Sequence, residues 1–168
     1  MFIAHLPTGY LLGHSLRSVF DRSARIALVV GSILPDFDLM RFYFFDAQMI
    51  HHHTYLSHRP IIWAAMLLLG LLLSKKCAAG AMLTAFGLGG LLHMALDSIA
   101  GAIDWGWPLF SFAAPLIVVP ATHDNWILSF LLHWTFAMEL VLCTAAYVVW
   151  SNARKQKTPA NDRGSSIS

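Results

Sequence analysis

Long apolar runs constrain the fold of this chain more than any other feature of its sequence. Residues 77–103 and 127–150 are each long enough to cross a bilayer as a helix, which requires about 20 predominantly apolar residues. Only 12% of the residues are charged, whereas a soluble domain contains about 25%. Because so few charges cannot cover a soluble surface, we predict an all-α, multi-pass membrane helical bundle.

Shorter segments are expected to pack against these spans. Residues 1–22 contain a short helix that could be capped by Thr8 and end near Phe20. This helix and the apolar run from Ile26 to Leu34 are short for a full span, so we predict half-span helices there, the second ending at Pro35. The run at 61–74 is also short. Residues 109–121 are interrupted by two prolines, and we predict a re-entrant or interfacial segment.

The chain divides into one long domain and a tail. We assign residues 1–152 to a membrane-embedded helical domain and residues 153–168, which are polar, to a disordered cytoplasmic tail. The formal net charge is +2, and the tail carries much of the excess. We therefore expect no direct nucleic-acid binding, and the lipid bilayer is the expected partner.

Basic clusters predict the orientation, because basic residues favour the cytoplasmic side of a membrane. The clusters are Arg17/Arg22/Arg25, Lys75/Lys76 and Arg154/Lys155/Lys157. If all three face the cytoplasm, every candidate ligand described below lies at the non-cytoplasmic end of its helix. Arg41 and Arg59 are exceptions, since they fall on the side of the ligands.

A histidine-rich loop is the first candidate site. His51, His52, His53 and His58 place four imidazoles within eight residues, and imidazole is a common metal ligand. A solvated polar loop is the alternative. We predict that His53 and His58 are ligands, and that His51 and His52 are bystanders or lie behind the ligands.

Two carboxylates precede this loop. Asp36 and Asp38 are two residues apart and follow Pro35. If the turn is extended, both side chains point the same way, and aligned carboxylates repel unless a cation or a proton lies between them. The alternative is a helix cap beside a solvent-facing acid.

The span at 77–103 carries a second polar pair. His93 and Asp97 are four residues apart, which places them on one face of a helix. Ionisable groups in membrane helices are costly and usually functional. Ala81, Ala85 and Gly89 precede them at the same spacing and predict a close helix contact that leads to the pair. A structural hydrogen bond between helices is the alternative.

Further residues could assist the chemistry. His133 lies at the predicted ligand end of the last span, and we assign Asp38 and His133 as candidate catalytic residues. Arg41 and Arg59 could clamp a phosphate. Their alternative role is to extend from the membrane toward the headgroup region.

Together these residues indicate a divalent metal, with zinc favoured because its ligands are nitrogen and oxygen atoms. The number of candidates permits one or two ions, which would activate water for hydrolysis of a phosphoester or a lipid. Two alternatives stay open. One is a non-enzymatic membrane binding or regulatory protein with a structural metal or polar cluster, and the other is bis-histidine haem binding by His93 and His133.

The ordered motifs resemble a known bacterial family. They are Gly31-Ser32-Ile33-Leu34-Pro35-Asp36-Phe37-Asp38, His52-His53-Thr54-Tyr55-Leu56-Ser57-His58-Arg59-Pro60, His93-x3-Asp97-Ser98 and His133-Trp134-Thr135. Over residues 1–140 the chain is similar to inner-membrane metal-dependent hydrolases, some of which are described as LexA-binding. It is distantly similar to zinc-dependent phospholipase C proteins.

The resemblance implies a location in the bacterial inner membrane and a metal-supported hydrolase site. It also implies a set of metal ligands, namely His5, Asp36, Asp38, His53, His58, His93 and Asp97. The family loop often has Arg and Ser where this chain has Thr54 and Arg59, so the resemblance does not define the substrate.

Overall fold

The computed structural model describes residues 3–45 and 52–157. Every regular element in these ranges is helical, in agreement with the predicted all-α fold. The α-helices are α1 (His5–Ser15), α2 (Arg22–Ile33), α3 (Asp38–Phe44), α4 (Pro60–Ser74), α5 (Ala78–Ala100), α6 (Trp126–Leu131) and α7 (Trp134–Lys157). Short 3-10 turns at Leu34–Phe37, His52–Thr54 and Leu56–His58 connect them.

Helix α5 is the centre of the fold, and it packs against both α2 and α4. Small residues allow these close contacts. A Cβ at Gly89 would overlap the Leu28 carbonyl of α2, and one at Gly90 would overlap the Trp63 ring of α4. Ala85, on the same stripe as Gly89, is fully buried against Leu28. The small-residue stripe predicted from the sequence is therefore the seam between α2 and α5.

Helices α1 and α2 form a hairpin whose second arm is capped. Asp21 accepts a hydrogen bond from the backbone N–H of Ala24 at 2.8 Å, which satisfies a donor in the first turn of α2. Helix α1 also packs against α7. The two hairpin helices contain 11 and 12 residues, so both are as short as the sequence predicted.

Two helices are long and apolar enough to cross a membrane, by length and composition. They are Ala78–Ala100 and Trp134–Gln156. The predicted span at 127–150 does not start where expected, because α6 ends at Leu131 and the continuous helix begins only at Trp134. This helix also runs to Lys157, so residues 153–157 of the predicted tail are helical, and residues 158–168 lie outside the described ranges.

Residues 101–125 connect α5 to α6 without a helix. The chain turns back along the end of α5, where Leu116 N–H donates to the Ser98 carbonyl at 2.9 Å and Ile117 N–H donates to the Ile99 carbonyl at 2.8 Å. This connection contains the predicted re-entrant or interfacial segment. Large apolar side chains are exposed along it, namely Leu109, Phe110, Phe112, Leu116 and Val118. Its contact with a bilayer stays a prediction.

Candidate metal centre

Asp97 is the hub of a buried polar cluster near the end of α5. Asp97 as a whole residue is only 2% exposed to solvent. One oxygen, Oδ1, lies 3.1 Å from His5 Nε2. The other, Oδ2, faces three further imidazoles through their Nε2 atoms: His93 at 3.1 Å, His58 at 3.5 Å and His53 at 3.6 Å. Four imidazoles from three parts of the chain therefore converge on one carboxylate.

Asp36 provides a second carboxylate to the cluster. Its Oδ2 lies 3.4 Å from His5 Nδ1, and its Oδ1 lies 3.6 Å from His93 Nε2. The side chain is 31% exposed, whereas the side chains of His5, His93 and Asp97 are almost completely buried. Asp36 is thus on the open side of the cluster.

Asp38 has a different position from Asp36, which corrects the sequence prediction. Residues 34–37 form a 3-10 turn that runs into α3, so the pair is not extended and the two side chains diverge. Asp38 Oδ2 accepts a hydrogen bond from Ser57 Oγ and lies 2.7 Å from His58 Nδ1. Asp38 therefore lies behind His58 rather than in the group of converging ligand atoms.

This contact orients His58. With Nδ1 paired to Asp38, the ring turns Nε2 toward Asp97. Trp63 supports the same turn, since its indole N–H donates to the Ser57 carbonyl at 2.7 Å. A carboxylate that holds the second nitrogen of a histidine is a common support for a metal ligand, because it fixes the ring orientation and increases its basicity.

His93 is oriented in an analogous way by the backbone. Its Nδ1 lies 2.9 Å from the Ser32 carbonyl of α2. Because a carbonyl only accepts, Nδ1 donates this bond, and the ring then turns Nε2 toward the carboxylates. The ring of His5 stacks on that of His93 with 3.8 Å between centroids. The seam between α2 and α5 thus fixes one imidazole, and that imidazole supports a second.

Glu139 anchors the backbone just before His5, the second imidazole of this stack. The sequence did not reveal that role. The side chain of Glu139 is fully buried in α7. The Oε2 atom accepts hydrogen bonds from the backbone N–H groups of Ile3 at 2.6 Å and Ala4 at 3.1 Å. These two residues immediately precede His5. A carboxylate at the start of α1 also matches the positive end of the helix dipole.

The cluster shifts the pKa values of two of its members, His58 and Asp36. Burial alone would lower the pKa of His58, but its hydrogen bonds to Asp38 and Asp97 and their negative charges outweigh burial and raise the pKa to about 9. Burial would raise the pKa of Asp36, but the His5 imidazole 3.4 Å away and the charge of His93 hold it below the usual range. A metal ion must therefore compete with a proton for His58.

The donor set fits a divalent cation. Asp36, His58, His93 and Asp97 each offer one ligand atom, and these atoms all lie within 4.8 Å of one another. Among the described residues, the buried His93 Nε2 and both ring nitrogens of His5 form no hydrogen bond of good geometry, although each lies 3.1–3.6 Å from a carboxylate oxygen. Buried polar atoms are rarely left without a hydrogen bond, and an ion between them would satisfy several at once. Two nitrogen and two oxygen ligands suit zinc, although they do not identify the metal.

Other predicted site residues lie outside this group. His133 Nδ1 lies 2.9 Å from Thr135 Oγ1, and its described contacts are not with the cluster. His93 lies in the buried cluster with Nε2 facing Asp97, whereas the described contacts of His133 are with Thr135 and Trp134, which argues against the haem alternative. His51 lies outside the described residues, as does the side chain of His52.

The two arginines have different surroundings. Arg59 lies 3.3 Å from Asp104 Oδ2, donates to the Thr54 carbonyl at 2.9 Å and covers the Trp107 ring. It is therefore part of the loop structure. Arg41 lies over the Tyr55 ring and lines a cavity of about 340 Å³ that also contacts Asp38.

Comparison with known families decides the identity of this helical protein. A model of the YdjM inner membrane protein matches residues 1–157. The chain belongs to the YdjM inner membrane protein family. No curated protein and no solved structure matches significantly. Membership of the YdjM family, together with two apolar helices, places the protein in the membrane and confirms the predicted bacterial inner-membrane family.

Proposed function

We propose that this protein is a multi-pass, membrane-bound, metal-dependent hydrolase that acts on a phosphoester or lipid-type substrate. The convergence of four imidazoles and two carboxylates on one buried point carries the proposal. When bound, a divalent metal lowers the pKa of a water molecule and stabilises the oxygen that leaves. Zinc is the favoured ion, and one or two ions can be accommodated by the donor set.

The chain's own residues have distinct roles in this proposal. His58, His93, Asp36 and Asp97 hold the ion, because they form the compact group of ligand atoms. Asp38 and Ser32 orient the two histidines through Nδ1. His5 and His53 complete the ring of imidazoles around Asp97 and are the candidates for a second ion.

The cavity beside His58 is the proposed substrate site. It has a volume of about 340 Å³ and is lined by Asp38, Arg41, Thr54, Tyr55, Leu56 and Ser57. Arg41 is exposed, so its guanidinium can approach a phosphoryl oxygen. The apolar side chains at 109–118 support access from a lipid phase, since they are exposed on the connection that packs on the end of α5.

The proposed site faces the non-cytoplasmic side. His5 starts α1, whereas Arg17 follows its end, so the hairpin separates the metal centre from the first basic cluster. Lys75 and Lys76 precede α5, whereas His93 and Asp97 lie near its other end. The positive-inside tendency then directs the centre outward. A cysteine introduced beside His53 should be labelled from the periplasmic side, and labelling from the cytoplasm alone would refute this orientation.

A metal and activity assay tests the hydrolase proposal. The full-length protein, purified in detergent, should contain zinc by elemental analysis and should hydrolyse a nitrophenyl phosphodiester or a fluorescent phospholipid. Arg41→Gln should lower kcat/KM at least about tenfold with unchanged metal content, because loss of a charge-assisted hydrogen bond costs about 1.5–3 kcal/mol. Lys75→Gln is the control, since Lys75 is exposed and lines neither cavity. Protein that stays metal-free on zinc titration would refute the proposal.

A structural metal centre in a binding or regulatory protein is the second candidate. Its support is the depth of the cluster, because His58 and His93 are fully buried. In that case the protein should bind metal, Asp97→Asn should lower its stability, and no phosphoester in the screen should be hydrolysed.

A further inference from the structure

A second cavity lies at the opposite end of α1 from the metal centre. It has a volume of about 870 Å³ and is walled by α1, α2 and the last turns of α7. His5 belongs to the metal centre, and His14, which lines the cavity, is nine residues further along the same helix. At about 1.5 Å per residue these positions are roughly 14 Å apart along the axis. The cavity is therefore a separate feature.

Four arginines from three parts of the chain line this cavity. They are Arg17, Arg22, Arg25 and Arg154. Among the described residues that line the cavity, none is Asp or Glu. The carboxylate of Asp21, next to Arg22, already accepts the hydrogen bond that caps α2. The described walls of the cavity therefore carry a positive charge.

Contacts with the protein orient three of these arginines. Arg17 Nη1 donates to the His14 carbonyl at 3.2 Å, and Arg25 Nε donates to the Asp21 carbonyl at 3.3 Å. Each of these bonds uses one of the five N–H donors of a guanidinium. Arg154 lies over the Trp150 ring, with 4.6 Å between its guanidinium carbon and the centroid. These contacts direct the three groups, and the single bonds of Arg17 and Arg25 leave donors for a multivalent anion.

An apolar track leads away from the arginines along α2. Ile26 and Val30 line the cavity, are 55% and 40% exposed, and lie one turn apart on the same helix face. They follow Arg22 and Arg25 in the direction of the metal centre, which is the direction of the membrane interior for a chain in the membrane. Inorganic phosphate would make no apolar contact with Ile26 and Val30, whereas an acyl chain would bury both side chains.

We propose that this cavity binds an anionic phospholipid of the leaflet opposite the metal centre. The arginines hold the headgroup and its phosphate, and an acyl chain lies along Ile26 and Val30. Charge complementarity and the position of the apolar track both favour a lipid over another anion. Phosphate recognition by several arginines is strong because each guanidinium can donate two parallel hydrogen bonds.

Lipid titration of the full-length protein, followed by native mass spectrometry, tests this inference. Phosphatidylglycerol should remain bound at least about tenfold better than zwitterionic phosphatidylethanolamine. Arg22→Gln combined with Arg25→Gln should weaken phosphatidylglycerol binding about tenfold or more, since each basic residue near a membrane surface contributes appreciably to attraction of anionic lipids. Lys75→Gln combined with Lys76→Gln is the matched control, because it removes two positive charges outside the cavity lining. That control should change binding less than about twofold.

A change that preserves charge provides a second readout. Val30→Trp should fill the apolar track and weaken phosphatidylglycerol binding while the four arginines stay in place. Equal losses in the arginine and lysine variants, or equal binding of the two lipids, would overturn the proposal. So would displacement of the lipid by millimolar inorganic phosphate, which would indicate a free-anion site, or by an acidic peptide, which would indicate a protein partner.

Discussion

Helices α5 and α7 are similar in hydropathy but differ in how much of their surface is buried by other elements. Their membrane-length windows have mean hydropathies of 1.5 and 1.3, yet 50% of the α5 window is buried and only 17% of the α7 window. Helix α5 packs on α2 and α4 through glycines and carries His93 and Asp97. Helix α7 exposes apolar residues such as Leu140 and Val141 and contributes the buried Glu139.

The difference shows that membrane-crossing composition does not predict whether a helix carries the site. A helix that lies among others can bury charge, because neighbouring elements supply partners for it. A helix on the outside can do so only at a point where another segment covers it. Substitutions should therefore be costly along one face of α5 and nearly silent along most of α7, with Glu139 as the exception.

The largest expected effect is at the hub of the metal centre. Asp97→Ala should abolish metal binding and lower the free energy of unfolding by about 3–5 kcal/mol, because it removes the partner that several buried imidazoles share. Val141→Ala in α7 is the control and should change stability by less than about 0.5 kcal/mol. Elemental analysis and thermal unfolding in detergent measure both. An Asp97→Ala protein that retains stoichiometric metal would refute the assignment of the hub.

The next largest effect is the loss of stability expected when the close packing of α5 against α4 is disturbed. Gly90→Val should destabilise the protein by about 1–3 kcal/mol, because the new side chain would overlap the Trp63 ring. Trp63 holds the Ser57 carbonyl beside His58, so metal affinity should also fall. Ala137→Val, at an exposed position of α7, is the matched substitution. Equal melting temperatures for the two variants would contradict the contrast between the helices.

Glu139 tests the exception in α7. Glu139→Ala should reduce metal affinity about 10–100-fold, the usual loss when a group that supports a ligand is removed. The reason is that the backbone before His5 loses its anchor. Glu139→Gln retains an acceptor and should lose less, and the neighbouring Met138→Ala should lose almost nothing. Chelator competition measures the metal affinity of all three variants. A wild-type affinity in Glu139→Ala would show that Glu139 does not position His5 for metal binding.

The affinity for a metal ion should also depend on pH. His58 has a pKa of about 9 in the metal-free protein, so binding at neutral pH releases its proton. Affinity should increase by up to about tenfold per pH unit between pH 6.5 and 8.5 and level off above 9. Asp38→Asn removes the main group that raises this pKa, so the slope should flatten near pH 8. Titrations at three pH values with a chromophoric chelator check the slope.

Sequence reasoning identified the ligand types but not every position. His93 and Asp97 were predictable, because a four-residue spacing on a helix fixes their relative direction. The pairing of Asp36 with Asp38 was wrong, since a proline-led 3-10 turn replaced the extended turn that was expected. The pattern of apolar residues predicted the helices. It could not predict the hydrogen bond between Ile3 and Glu139, because that contact depends on how α1 packs against α7.

The hydrogen bonds of Glu139 have a consequence for the order of assembly. They join residues that are 135 and 136 positions apart in the chain. During synthesis the histidine loop and α5 emerge long before α7, so the backbone before His5 has no anchor until α7 has been made. His5 therefore takes its place in the polar cluster only after α7 packs beside α1, and the cluster is completed at the end of synthesis.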